Sequence, residues 1–262
     1  METKPNYLKR YIISSYILIN SLIVVVGGLT VFVFKAPPLL MWVVRNLCAW
    51  SPTYLLLIGW KKFRPDEKRM DFIKRCFSGK VKPYLLLVAF ALTFGISILT
   101  IYIAALMEGN PFSSYFSIGE VPFLTSVFMS FTSGPTGEEL GWRGFLREEF
   151  NKKYPFLRSA AYQGLVWCFW HTLLWAVDSD FTDWSAAIYI LANIVTVVCM
   201  TIWMNIILER HNNLLYSILM HFGFNIVYVF ASTGVLFCVV ITVLYLIVTP
   251  IALWIRNRSL KK

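Results

Sequence analysis

The sequence predicts an all-α membrane protein, a bundle of about eight transmembrane helices with both termini in the cytoplasm. Three observations predict it. The 262 residues are 58% hydrophobic and only 15% charged, against about 25% charged in a soluble domain. The apolar residues fall into runs long enough to cross a bilayer, and basic and acidic loops alternate between those runs. With a mean hydropathy of +0.64, lipid is the main solvent and the first partner. Residues 1–262 read as a single polytopic membrane domain.

A spanning helix needs about 20 mostly apolar residues. The runs, in order, are 11–34, 39–60, 84–106, 123–145, 159–177, 184–208, 216–230 and 236–255. The first is expected as an uncleaved helix, because no small-residue cleavage site follows it. The fourth and seventh are the least apolar, since polar residues interrupt them.

The loop charges set the topology. Lys4, Lys9 and Arg10 precede the first run, and nine Lys or Arg lie within 61–83. Arg147, Lys152, Lys153 and Arg158 follow the fourth run; Arg256, Arg258, Lys261 and Lys262 close the chain. The opposite loops carry Glu108, Glu120, Asp178, Asp180 and Asp183, with Lys35 as their one basic residue. Positive charge collects on the cytoplasmic side. The net charge of +10 is thus a topology signal, and nucleic acid is not an expected partner. The 61–83 loop also suits anionic lipid. The five cysteines show no CxxC pair or regular spacing, so they read as free buried thiols without a disulfide frame or a cysteine metal site.

Ionisable groups inside spans are costly and usually functional. Here they are Arg45 in the second run, Glu138, Glu139 and Arg143 in the fourth, His171 in the fifth, and His221 with Asn225 in the seventh. At about 1.5 Å rise per residue, Glu138 lies roughly 13 Å in from Arg147, His221 about 12 Å in from Asn213, and His171 about 19 Å in from Arg158. Three helices therefore bring polar groups to a similar level on the cytoplasmic side.

Glu139 and Arg143 are four apart and share a helix face, so they can pair. Glu138 is rotated about 100° away and can face a polar cavity. His221 and Asn225 also share a face, while Trp167, His171 and Trp175 stack at four-residue spacing. Ser133-Gly134-Pro135-Thr136-Gly137 precedes the glutamates, and Gly and Pro break helices. Broken backbone at membrane depth is tolerated where it is buried in protein or lines a cavity. A carboxylate beside such a cavity can take a proton from water and return it to a leaving amine. A histidine and an amide nearby can stabilise a tetrahedral oxyanion. That set hydrolyses a peptide bond without a serine or cysteine nucleophile.

Each feature alone has a plainer reading. Glu138, Glu139 and Arg143 can be a salt bridge near the interface, His171 an aromatic-lined core histidine, and His221 with Asn225 interhelical glue. Their joint placement favours chemistry. Glu148 and Glu149 sit among Arg147, Lys152 and Lys153 and read as a solvated face; His211 reads as interfacial. Arg45 either snorkels outward or pairs with a carboxylate. No HExxH occurs, and no cofactor is required, but Glu138, His171 and His221 also make an alternative ligand set for a catalytic zinc.

At these residues the chain resembles the CPBP (Abi) family of intramembrane proteases, which includes the CAAX prenyl endopeptidases and bacteriocin-immunity proteins. The motif EExxxR matches Glu138, Glu139 and Arg143 within GEELGWRGFL. FxxxH matches at His171, with Trp167 in the phenylalanine position, a change of one aromatic for another that bears on packing more than on chemistry. HxxxN matches His221 and Asn225. The motifs cover residues 123–230, the expected catalytic core.

The resemblance implies an eight-helix bundle open to cytoplasm and membrane, with Glu138 activating water. His171 and His221 position that water and stabilise the oxyanion, Asn225 assists, and Glu139 and Arg143 support the site. The expected activity is cleavage of a membrane-associated peptide or protein in the bacterial plasma membrane, in peptide maturation or bacteriocin self-immunity. A non-catalytic scaffold or immunity factor of the same fold and a proton-coupled transporter are the competing readings.

Overall fold

The computed structural model describes residues 7–33, 35, 37–117, 121–178, 180–231 and 233–260. Lys4, Glu120, Lys261 and Lys262 of the charge argument lie outside them, as does Phe34 at the end of the first run. Among the described residues the regular structure is helical, with one isolated bridge between Phe116 and Ala231.

Helix α1 (Tyr7–Ser21) continues in π-helical turns over Leu22–Gly27 and Leu29–Val33. Helices α2 (Pro38–Ala49), α3 (Ser51–Ile58), α4 (Trp60–Phe63) and α5 (Arg69–Cys76) follow, then the long α6 (Pro83–Glu108). Next come α7 (Phe123–Thr132), α8 (Pro135–Glu139), a π-helical stretch Leu140–Leu146, and α9 (Arg147–Asn151). The chain ends in α10 (Phe156–Asp178), α11 (Asp183–His211), α12 (Leu215–Asn225, then a 3-10 turn over Ile226–Val229) and α13 (Val235–Ser259).

Four helical segments are long and apolar enough to cross a membrane: Tyr7–Gly27, Pro83–Glu108, Asp183–His211 and Val235–Ser259. The other expected runs are helical but not as single apolar rods. The second is cut where Pro52 occupies the first turn of α3 and again at Gly59, because proline removes a backbone donor and glycine lowers the cost of leaving the helix. The fourth is cut at Ser133-Gly134, and Pro135 starts α8. The seventh is the short α12. The fifth, α10, is continuous, but polar residues such as Gln163 and His171 lower its apolarity.

Helix α11 packs between α10 and α13, and α6 packs on α12 and α13. The Trp203 ring stacks on Tyr245 with centroids 4.3 Å apart, and its indole N–H donates to Thr249 Oγ1 at 2.9 Å. Helix α8 wedges between α3 and α12, and α1 closes on α3 and α10. The short α8 thus lies among α3, α7 and α12.

Glu148 and Glu149 do not form the expected solvated face. Arg64 reaches both at 2.8 Å, and Arg75 pairs with Glu67 at 2.7 Å and also with Glu148. These pairs staple α9 to the α4–α5 segment, because the chain reversal at residues 64–68 points two arginines back at α9.

Candidate active site

The break that begins the site leaves backbone groups without helical partners, and neighbouring helices supply them. The Trp50 indole N–H donates to the Thr132 carbonyl at 2.9 Å, and Asn46 Nδ2 donates to Ser133 Oγ at 3.1 Å. Thr136 Oγ1 donates to the same Thr132 carbonyl at 3.2 Å. Trp50 lies so close to Gly137 that a Cβ there would collide with the indole. Trp50 and Asn46 carry no motif; their roles depend on contacts about 80 to 90 residues away in sequence, which no local pattern encodes.

The π-helical stretch follows at once, and such insertions often mark functional sites. Glu138, Glu139 and Arg143 are all buried. Glu139 Oε1 lies 3.5 Å from Arg143 Nη1 and 3.0 Å from His221 Nδ1. The expected Glu139–Arg143 pair is present, and it extends to His221. Arg143 Nη2 donates to Thr201 Oγ1 on α11 at 3.0 Å, and its guanidinium sits 3.8 Å above the Trp167 ring centroid.

Glu138 is not left free on all sides. Its Oε2 accepts the Trp167 indole N–H at 2.6 Å. Trp167 therefore does more than pack: a phenylalanine offers no N–H, so the departure from FxxxH changes what holds the glutamate. His171, half-buried among Trp167, Trp170 and Trp175, places Nδ1 at 2.8 Å from the Trp167 carbonyl. Carbonyls and carboxylates only accept, so both His171 and His221 carry a proton on Nδ1, and Nε2 is the nitrogen each ring has left for chemistry.

Gly134 reports how closely the groups converge. A Cβ there would lie 3.2 Å from Glu138 Oε1, 3.2 Å from Asn225 Nδ2 and 3.4 Å from His221 Cε1. The absence of a side chain at 134 lets a carboxylate oxygen, an amide donor and an imidazole come close together there. Among the described residues, no group of three or more His, Cys, Asp or Glu side chains is arranged to hold a metal ion.

Residues 120–227 match the family described as type II CAAX prenyl endopeptidase Rce1-like. They form an Rce1-like region. It contains Glu138, Glu139, Arg143, Trp167, His171, His221 and Asn225. A curated relative, CAAX prenyl protease 2 of Methanococcus maripaludis, is 25% identical over 187 residues, 67% of this chain and 68% of that protein. These matches bear out the resemblance to the CPBP family. The chain with its Rce1-like region is an integral, multi-pass membrane protein, and these similarities support CAAX-protease-like hydrolysis of peptide bonds.

Proposed function

We propose that Glu138 is the general base of an intramembrane endopeptidase and needs no metal. The observation that carries this reading is the convergence of Glu138 Oε1, Asn225 Nδ2 and His221 at Gly134. Glu138 takes a proton from a water beside Oε1, and the water oxygen bonds to the scissile carbonyl carbon. Negative charge moves to the carbonyl oxygen, where Asn225 Nδ2 donates to it. On collapse the C–N bond breaks, and Glu138 returns its proton to the leaving amine. Nε2 of neutral His171 or His221 accepts from the water and orients it; a protonated ring donates to the oxyanion instead. Glu139 and Arg143 hold His221 and the π-helical turn.

The substrate is a membrane-associated peptide or protein, and membrane lipid surrounds the enzyme. The name of the archaeal relative makes a prenylated C-terminal CAAX peptide the first probe. The setting is the bacterial plasma membrane, in peptide maturation or bacteriocin self-immunity.

The test uses the full chain in lipid with a quenched farnesylated CAAX peptide. Glu138→Gln is expected to lower kcat by roughly 10²- to 10⁴-fold, the usual worth of a general base, while thermal unfolding stays unchanged. Full activity in that variant removes the reading. Loss of wild-type activity on chelation, restored by zinc, replaces it with the metal reading.

A further inference from the structure

We infer that Trp167 is a positioning residue: its indole N–H fixes one oxygen of Glu138 and thereby aims the other towards Gly134. The inference rests on the reading of Glu138 as the base. Four contacts converge on this one residue. Its Nε1 donates to Glu138 Oε2 at 2.6 Å, and its carbonyl accepts from His171 Nδ1 at 2.8 Å. Its ring meets the His221 ring edge to face with centroids 5.0 Å apart, and the Arg143 guanidinium lies 3.8 Å above it.

The physical case is local. The terminal torsion of a glutamate is broad and nearly two-fold, so an unheld carboxylate spreads its oxygens over many directions. One short charge-assisted hydrogen bond removes most of that freedom. Trp167 is itself buried against Glu138, Arg143 and His221, so the donor cannot drift with the carboxylate. A cation over the ring face draws on the π electrons, which makes the indole N–H a stronger donor. Arg143 in turn is held by Glu139 and Thr201. The two adjacent glutamates are therefore linked through space, from Glu139 to Arg143 to the indole to Glu138.

Burial alone does not produce this contact. Trp142 and Trp170 are buried nearby, and neither indole N–H has a partner among the described residues. The Trp167 N–H meets the carboxylate because its position on α10 faces the first turn of α8.

The experiment compares Trp167→Phe with replacement of Trp167 by the benzothiophene isostere of tryptophan, which keeps the shape and removes only the N–H. Both are assayed as full chains in lipid on the farnesylated CAAX peptide. The isostere is expected to lower kcat roughly 10- to 100-fold with KM within about twofold, the signature of an interaction made for the chemical step. Its unfolding temperature should match wild type, and Trp167→Phe should show a kcat loss at least as large. Wild-type kcat in the isostere overturns the inference, as does a loss confined to unfolding temperature or KM. Glu138→Gln is run alongside. If it retains activity, the reading of Glu138 fails whatever Trp167 does. If it is inactive while the isostere is fully active, only the role of Trp167 fails.

Discussion

His221 donates through Nδ1 to Oε1 of Glu139 at 3.0 Å, and both side chains are buried. The same oxygen faces Arg143 Nη1 at 3.5 Å. One carboxylate thus compensates a buried guanidinium and sets the tautomer of a buried imidazole. Glu139→Gln keeps the shape and removes the charge. Breaking a buried pair from one side typically costs about 3–5 kcal/mol, so this variant should unfold at a markedly lower temperature in detergent. An unchanged unfolding temperature would show that Arg143 does not depend on Glu139.

Gly134→Ala tests the site geometry. Its Cβ comes 3.2 Å from both Glu138 Oε1 and Asn225 Nδ2, so these groups have to shift. A small displacement of reacting groups can cost about 10²-fold. We expect kcat to fall by roughly tenfold or more. Normal turnover would mean that the reacting water sits elsewhere.

Asn225→Ala removes the amide donor proposed for the oxyanion. Loss of one such donor costs about 10²- to 10³-fold in kcat. Steady-state kinetics on the farnesylated peptide should show that loss with little change in KM. A change in KM alone would make Asn225 a substrate-binding residue instead.

Cys76 reports whether α5 stays docked. Burial pushes its thiol up to about 12, and the reactive species is the thiolate. Alkylation at pH 8 should therefore be slow in the folded protein. Glu148→Ala removes the partner shared by Arg64 and Arg75 and should speed labelling of Cys76 by freeing α5. Equal labelling rates in the two proteins would show that packing, not the ion pairs, holds the segment.

Much of the architecture was legible because lipid punishes local errors. A run such as Pro83–Glu108 has to satisfy its own backbone and expose apolar side chains, and both demands are written locally. The break at Ser133-Gly134-Pro135 was legible for the same reason, since glycine and proline act on their own backbone. The π-helical turns after Glu139 were not, because a register shift of one residue leaves no mark in composition. Nor was the division of the second run into α2, α3 and α4, where Trp50 and Asn46 turn to serve the Thr132 and Ser133 groups of a distant segment.

By itself the sequence determined the membrane class, the order of the helical runs, and the set of polar residues that three of those runs bring together. Spacing also determined that Glu139 and Arg143 share a face, since four residues close one helical turn. Only the tertiary structure decided that His221 joins that pair, that Trp167 holds Glu138, and that Glu138 and Asn225 meet at Gly134. Those relations join residues 29 and 82 positions apart. Their directions are set by how α8, α10 and α12 cross, and a crossing is a property of packed surfaces rather than of any one stretch of chain.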